Sequence, residues 1–188
     1  MVDKRSLLQC FEAFDKDGIM DILFQMLNND LPLPLEDMFI ILDETADVEI
    51  ISVLLEVLLF RLDDVSDSLM KVYQLDLSEV VRRHLILVFS ASEKSKYMQF
   101  LMNDYFENPY NRPAIRQIAF KNKKLVFMNL VRYVEARELT APMVDTCKQI
   151  LQMVPRDVIV ASAGVFTGTK VLDIYYAIPV EEREQMGG

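Results

Sequence analysis

The chain has 188 residues, with 20 Lys and Arg against 29 Asp and Glu for a net charge of −9, and 52% hydrophobic residues. That length and apolar content suit one compact domain that buries its own core, and they exclude a disordered, collagen-like or disulfide-stapled chain. Only Gly18, Gly164 and Gly168 precede the terminal Gly187 and Gly188, too few for the turns of a β-sandwich or the phosphate loops of a doubly wound sheet, so an all-α fold is expected.

The first ten residues, MVDKRSLLQC, carry charges but no continuous apolar core with a small-residue cleavage site, so a cytoplasmic protein is expected. Apolar spacing at i, i+3, i+4 and i+7 predicts helices over 4–14 and 16–28, with Leu7, Leu8, Phe11 and Phe14 on the first and Ile19, Ile22, Leu23, Met26 and Leu27 on the second. FDKDG between them has the look of a calcium loop, but with Gly18 in the sixth place, Ala13 and Phe24 stand where the first and last carboxylates belong. It reads as a turn whose aspartate caps the second helix. After the linker LPLPL comes a short helix over 35–42, then one over 48–62 whose polar positions Glu49, Ser52 and Glu56 leave every other face apolar. Such a helix has to be covered on most sides. It is too short and too charged for a membrane span, which takes about 20 apolar residues.

Further helices are predicted over 65–75, 78–91, 92–106, 113–120, 123–137, 141–153, 156–165 and 169–177, with Ser92, Asn111, Thr140 and Thr169 placed for N-caps. Met98 and Met102, with Tyr97, Phe100, Leu101, Tyr105 and Phe106, make one helix apolar on more than one face, which suits a buried helix or a groove for a partner helix. GVFTGTK lacks the spacing and the preceding strand of a phosphate loop, and reads as close helix packing through Ala161, Gly164 and Gly168. The final eight residues, EEREQMGG, read as a flexible acidic tail, 181–188, after a single helical-repeat domain spanning 1–180.

Ten to twelve short helices joined by short turns indicate stacked helical hairpins rather than a four-helix bundle. IISVLLEVLLF from Ile50 and VVRRHLILVFS from Val80 match in apolar class at an offset of 30, and PAIRQIAF from Pro113 overlays the second when Arg82 meets Arg116. An aspartate before a helix, then a branched aliphatic pair and a basic residue (Asp76, Val80, Val81, Arg82), resembles the inner helix of HEAT-type repeats. The resemblance to the HEAT-like α-solenoid superfamily covers about residues 35–179 and implies a right-handed α-α superhelix of the HEAT/armadillo kind. It implies a shape and a tendency to serve as a binding platform, and no site at the level of residues.

The net charge conceals a division. Residues 1–80 hold 5 basic and 18 acidic side chains, net −13; residues 81–138 hold 11 and 5, net +6; residues 139–188 hold 4 and 6, net −2. The basic segment carries Arg82, Arg83, Lys94, Lys96, Arg112, Arg116, Lys121, Lys123 and Lys124, interleaved with Tyr97, Tyr105 and Tyr110. Solvated helix faces and a docking patch for an acidic protein, a phosphate-bearing ligand or a nucleic-acid backbone both account for it.

A pI near 4.7, the absence of Trp and the lack of a Cys/His finger weigh against nucleic acid. Cys10 and Cys147 are single and distant, and His84 is the only histidine, so no catalytic residue, metal site or cofactor is expected. Carboxylate pairs such as Glu36/Asp37 and Asp63/Asp64 are adjacent on helices and so point apart. The expectation is a non-enzymatic adaptor, scaffold or regulator. Its main docking surface is the basic and aromatic 94–124 segment, and the acidic 36–67 segment is a second one that admits head-to-tail self-association. The alternative is a nucleic-acid or phosphate-ligand binding protein using 82–132.

Overall fold

Helix starts follow the capping chemistry of the chain. In the computed structural model, which describes residues 6–28, 31–75, 77–166 and 168–186, Ser6 and Gln9 form a capping box on α1 (Leu7–Glu12). Asp15 accepts the Gly18 N–H at 3.0 Å to open α2 (Lys16–Leu27), so FDKDG is a turn and cap. Gly18 is required there by space, since a Cβ on it would lie 2.6 Å from Asp15 Oδ2 and 3.1 Å from Cys10 Sγ. α3 (Leu35–Glu44) follows the prolines, and Asp47 accepts from the Glu49 and Ile50 N–H groups at the start of α4 (Val48–Phe60). α5 (Leu62–Tyr73) and α6 (Glu79–Ala91) complete the first of two compact units, residues 1–91. The second, residues 92–188, holds α7 (Ser95–Glu107), α8 (Arg112–Ile118), α9 (Lys123–Glu135), α10 (Ala141–Gln152), α11 (Arg156–Ala163), α12 (Lys170–Tyr176) and α13 (Val180–Glu184). The fold is all-α: thirteen helices and no strand among the described residues. No helix among them is long and apolar enough to cross a membrane.

In the first unit α4 is covered by α2, α3, α5 and α6, as its apolar circumference requires. Ile50, Leu54, Val57 and Leu58 are buried, while Glu49, Ser52 and Glu56 face solvent. α6 buries Val81, Leu85, Val88 and Phe89 at the same spacing. The buried stripes of α4 and α6 therefore correspond at an offset of 31, one residue from the apolar match. At 30, buried Ile50 and Val57 meet Val80 and Leu87, both exposed. One residue turns a helix by about 100°, so that match is one of composition and not of structural position. Asp76, part of the HEAT-type pattern, lies outside the described residues.

In the second unit α9 is the centre, packed by α7, α11 and α12. Phe106 of α7 stacks on Tyr133 of α9 with ring centroids 4.1 Å apart, and Tyr105 lies against Phe120 at 4.9 Å. Tyr97, Met98, Leu101, Met102, Tyr105 and Phe106 are all buried, so the broad apolar surface of α7 belongs to the core of this unit and leaves no open groove along the helix. Both cysteines are buried, and burial pushes the Cys147 thiol up to about 12, far from a reactive thiolate.

Helix ends use arginine where other chains use glycine. Arg82 donates to the carbonyls of Tyr73 and Leu75 at 3.0 and 3.1 Å, with its guanidinium 5.4 Å from the Tyr73 ring centroid. Arg112 donates to those of Tyr105 and Phe106 at 2.7 and 3.2 Å and lies 5.7 Å from the Tyr105 ring. Arg137 bonds the Tyr133 carbonyl at 3.2 Å and lies 3.9 Å from that ring. Three times a tyrosine in the last turn of a helix has its ring covered and its carbonyl bonded by a later arginine. The positive charge also complements the helix dipole.

Some local expectations are corrected. Asn111 holds the N-cap position of α8, but its amide donates to Asp104 at 2.9 Å instead of capping the helix. Ser92 makes a turn bond to the Lys94 N–H, and Lys94 itself precedes α7. Gly164 and Gly168 face open space, so they mediate no close packing; Gly168 is needed instead for its φ of +76° ahead of the Thr169 cap. The segment expected as a tail forms α13, where Arg183 lies over Tyr175 and Tyr176 and Met186 is buried. Local polarity suggested solvent, and tertiary contact with those aromatics overrode it; Gly187 and Gly188 lie outside the described residues.

Candidate functional site

Arg82 and Arg83 belong to α6 in the first unit, and the other nine residues of the expected basic surface belong to the second, so the two groups are taken separately. Arg82 is a half-buried helix cap and Arg83 is half-buried. Tyr97 is 0% exposed and cannot meet a partner, a correction to its place in the docking set. Its ring serves as the floor under Lys96, whose ammonium stands 4.6 Å from the centroid. Tyr110 is 75% exposed in the turn before α8. Lys94, Lys121 and Lys124 are exposed, and none of them lines the cleft described next.

Three of the expected residues do converge. Arg112 and Arg116, one helical turn apart on α8, and Lys123, at the start of α9, line a cleft of about 720 Å³. Asn122 fixes the α9 start by accepting the Leu125 N–H at 3.1 Å, which sets where Lys123 emerges. Arg112 is anchored by its two carbonyl bonds to the end of α7, so its charge is held in place rather than waving in solvent. The far wall comes from α10 and the turn after it: the amides of Gln149 and Gln152, with Met153 and Pro155. No carboxylate lines the cleft among the described residues, and Arg116 and Lys123 make no ion pair among them.

The electrostatics match that composition. Lys123 is held below its ordinary 10.5, first by burial and then by the Arg116 charge. Burial lifts the Tyr105 phenol above 10, while the Arg116 and Arg112 charges pull it back. Crowded cations without a counter-charge favour an anion in the space between them. The arrangement offers binding chemistry: forked donors, an ammonium and amides. Among the described residues no three of His, Cys, Asp and Glu come together to hold a metal ion. His84 is half-buried on α6 in the first unit, and burial, then the Arg83 charge, holds it below 6.5.

Tyr105 was among the tyrosines interleaved with the basic run, but Gln149, Gln152, Met153 and Pro155 were not signalled by the sequence as part of the site. Glutamines and a proline some thirty residues downstream carry no local mark of a shared wall with α8. The acidic segment, by contrast, is partly engaged with its own unit: Asp47 and Glu49 pair with Lys16 at 2.9 and 2.7 Å, Asp64 with Arg61 at 2.6 Å, and Asp43 accepts from Ser78.

Comparison with protein-family models, curated proteins and solved structures returned no match.

Proposed function

We propose that the protein is a non-enzymatic, cytoplasmic interaction module, an adaptor or regulator, that docks an acidic segment of a partner protein on its second unit. The observation that carries this reading is the convergence of Arg112, Arg116 and Lys123 on one cleft that no carboxylate lines among the described residues. Apolar walls from Met153 and Pro155 supply contact area for side chains flanking the acidic group. The HEAT-like reading of the array draws support within each unit from the packing of alternate helices, α2 with α4 and α4 with α6, and α7 with α9.

The test compares wild type with Arg116→Glu/Lys123→Glu in quantitative capture from native lysate across salt. A partner held by wild type, lost by the variant and weakened by salt is the expected result. Full retention by the variant overturns the reading. Micromolar binding of single- or double-stranded DNA or RNA that collapses with salt overturns it in favour of nucleic acid.

A further inference from the structure

We infer that the cleft between α8, the start of α9 and α10 recognises a phosphorylated side chain in an extended segment of the partner. This rests on the docking reading above and deepens it by naming the group that is read. The argument is one of charge and donor count. A carboxylate brings a single negative charge and two oxygens, whereas a phosphomonoester brings roughly −1.5 to −2 and three oxygens at neutral pH. Arg112, Arg116 and Lys123 together present three positive charges to the same volume, with the Gln149 and Gln152 amides opposite. One carboxylate leaves most of that charge unmatched in a partly desolvated place; a phosphate matches it more closely, and the Arg116 fork suits its oxygens, while Arg112, whose Nε and Nη2 bond carbonyls, adds charge.

The cleft, at about 720 Å³, is far larger than a phosphate group, so the ligand has a body as well as a charge. Pro113, Met153 and Pro155 form apolar walls for that body. A peptide fits these walls better than a nucleotide does. The aromatic ring on the cleft, Tyr105, is 3% exposed and engaged with Phe120 and Arg112, and offers no open face for a base to stack on.

Arg112 serves to position as well as to attract, because it caps α7, and replacing it perturbs the fold. The informative variants are therefore Arg116→Gln and Lys123→Gln, which remove charge from side chains that make no ion pair among the described residues.

The experiment uses the full chain and fluorescence anisotropy with three labelled degenerate peptide pools of equal length, fixed at the centre on phosphoserine, glutamate or serine. A single-stranded oligonucleotide is the fourth probe. The phosphoserine pool is expected to bind at least about tenfold more tightly than the glutamate pool, and each variant to remove about tenfold of that affinity. The pH profile gives a second readout. Phosphate gains its second proton near pH 6 and a carboxylate its only one near 4.3, so binding should weaken as pH falls through about 6. The titratable and charged groups lining the cleft are Tyr105 from α7, Arg112 and Arg116 from α8, and Lys123 from α9, while α10 adds only amides, so neither a carboxylate nor an imidazole lines it among the described residues. Equal binding of the phosphoserine and glutamate pools, or affinity flat down to pH 5, overturns the phosphate inference and leaves acidic docking standing. Failure of all three pools overturns the inference too, and with lost partner capture it removes both readings. Tighter binding of the oligonucleotide than of any peptide overturns it in favour of nucleic acid.

Discussion

The two units carry similar numbers of charged residues and treat their cations differently. Residues 1–91 hold 7 basic and 18 acidic side chains, residues 92–188 hold 13 and 11. In the first unit Lys16 is clamped between Asp47 and Glu49, which hold its pKa above the ordinary value, and Arg61 ties Asp64 to the carbonyls of Met26 and Leu31. Arg82 is a helix cap. In the second unit Arg112 and Arg137 do the same capping work, yet Arg116 and Lys123 stand together in no ion pair among the described residues. Segment net charge overstates what is available to a partner. What counts is the charge left after the helix ends and the neighbouring carboxylates have been served.

The comparison can be broken at several strengths. The largest effect is expected in the hub helices. Leu54 of α4 and Leu130 of α9 are both fully buried, and truncating either to alanine should cost about 2–5 kcal/mol. Chemical denaturation measures the loss, and hydrogen exchange should show it concentrated in the unit that carries the substitution. Loss spread evenly over both would count against two separately organised units.

Next is the contrast between arginines. Arg82→Gln removes two charge-assisted carbonyl bonds and a ring contact, and is expected to cost about 1–3 kcal/mol of stability with peptide binding unchanged. Arg116→Gln is expected to do the reverse, shifting stability by less than about 0.5 kcal/mol while weakening binding. If the two variants behave alike, the division between capping and available arginines fails.

A smaller change should run in the stabilising direction. Phe14 has φ of +55° and is 93% exposed, so it bears left-handed strain without compensating burial. Phe14→Gly is expected to raise stability by about 0.5–1 kcal/mol in thermal or denaturant unfolding. A loss would mean that the phenyl ring has a contact in the protein's working state.

The smallest concerns pH. His84 has its folded pKa depressed by burial and by Arg83, so the unfolded chain takes up the proton first. Its contribution is fully present above about pH 6.5 and is lost as pH falls below that value toward the folded pKa. His84→Gln should flatten the stability slope between about pH 5 and 7. An unchanged slope would assign that dependence elsewhere.

Much of the helical plan was legible because 3.6-residue periodicity and proline placement are local signals. α4 shows it best: three polar positions on an otherwise apolar run predicted that neighbours would cover it, and four helices do. Caps were legible where side chain and backbone are close in sequence, as at Asp15 and Thr169. They were misjudged at Asn111, whose amide donates to Asp104, at Ser92, which accepts from the Lys94 N–H before α7 begins, and at Thr140, which holds the N-cap position of α10 without a side-chain cap bond. α13 was missed because its stability comes from Arg183 against Tyr175 and Tyr176 rather than from an apolar stripe of its own.

By itself the sequence determined the all-α class, the helix plan and the reversal of charge between 1–80 and 81–138, since composition and periodicity are properties of the chain. Only the tertiary structure decided which charges are available. Whether an arginine meets only a helix-end carbonyl, as Arg82 does, stands beside a cleft, as Arg116 does, or does both, as Arg112 does, depends on the ends of helices brought together by packing. Periodicity within one helix carries no record of what the next will place against it.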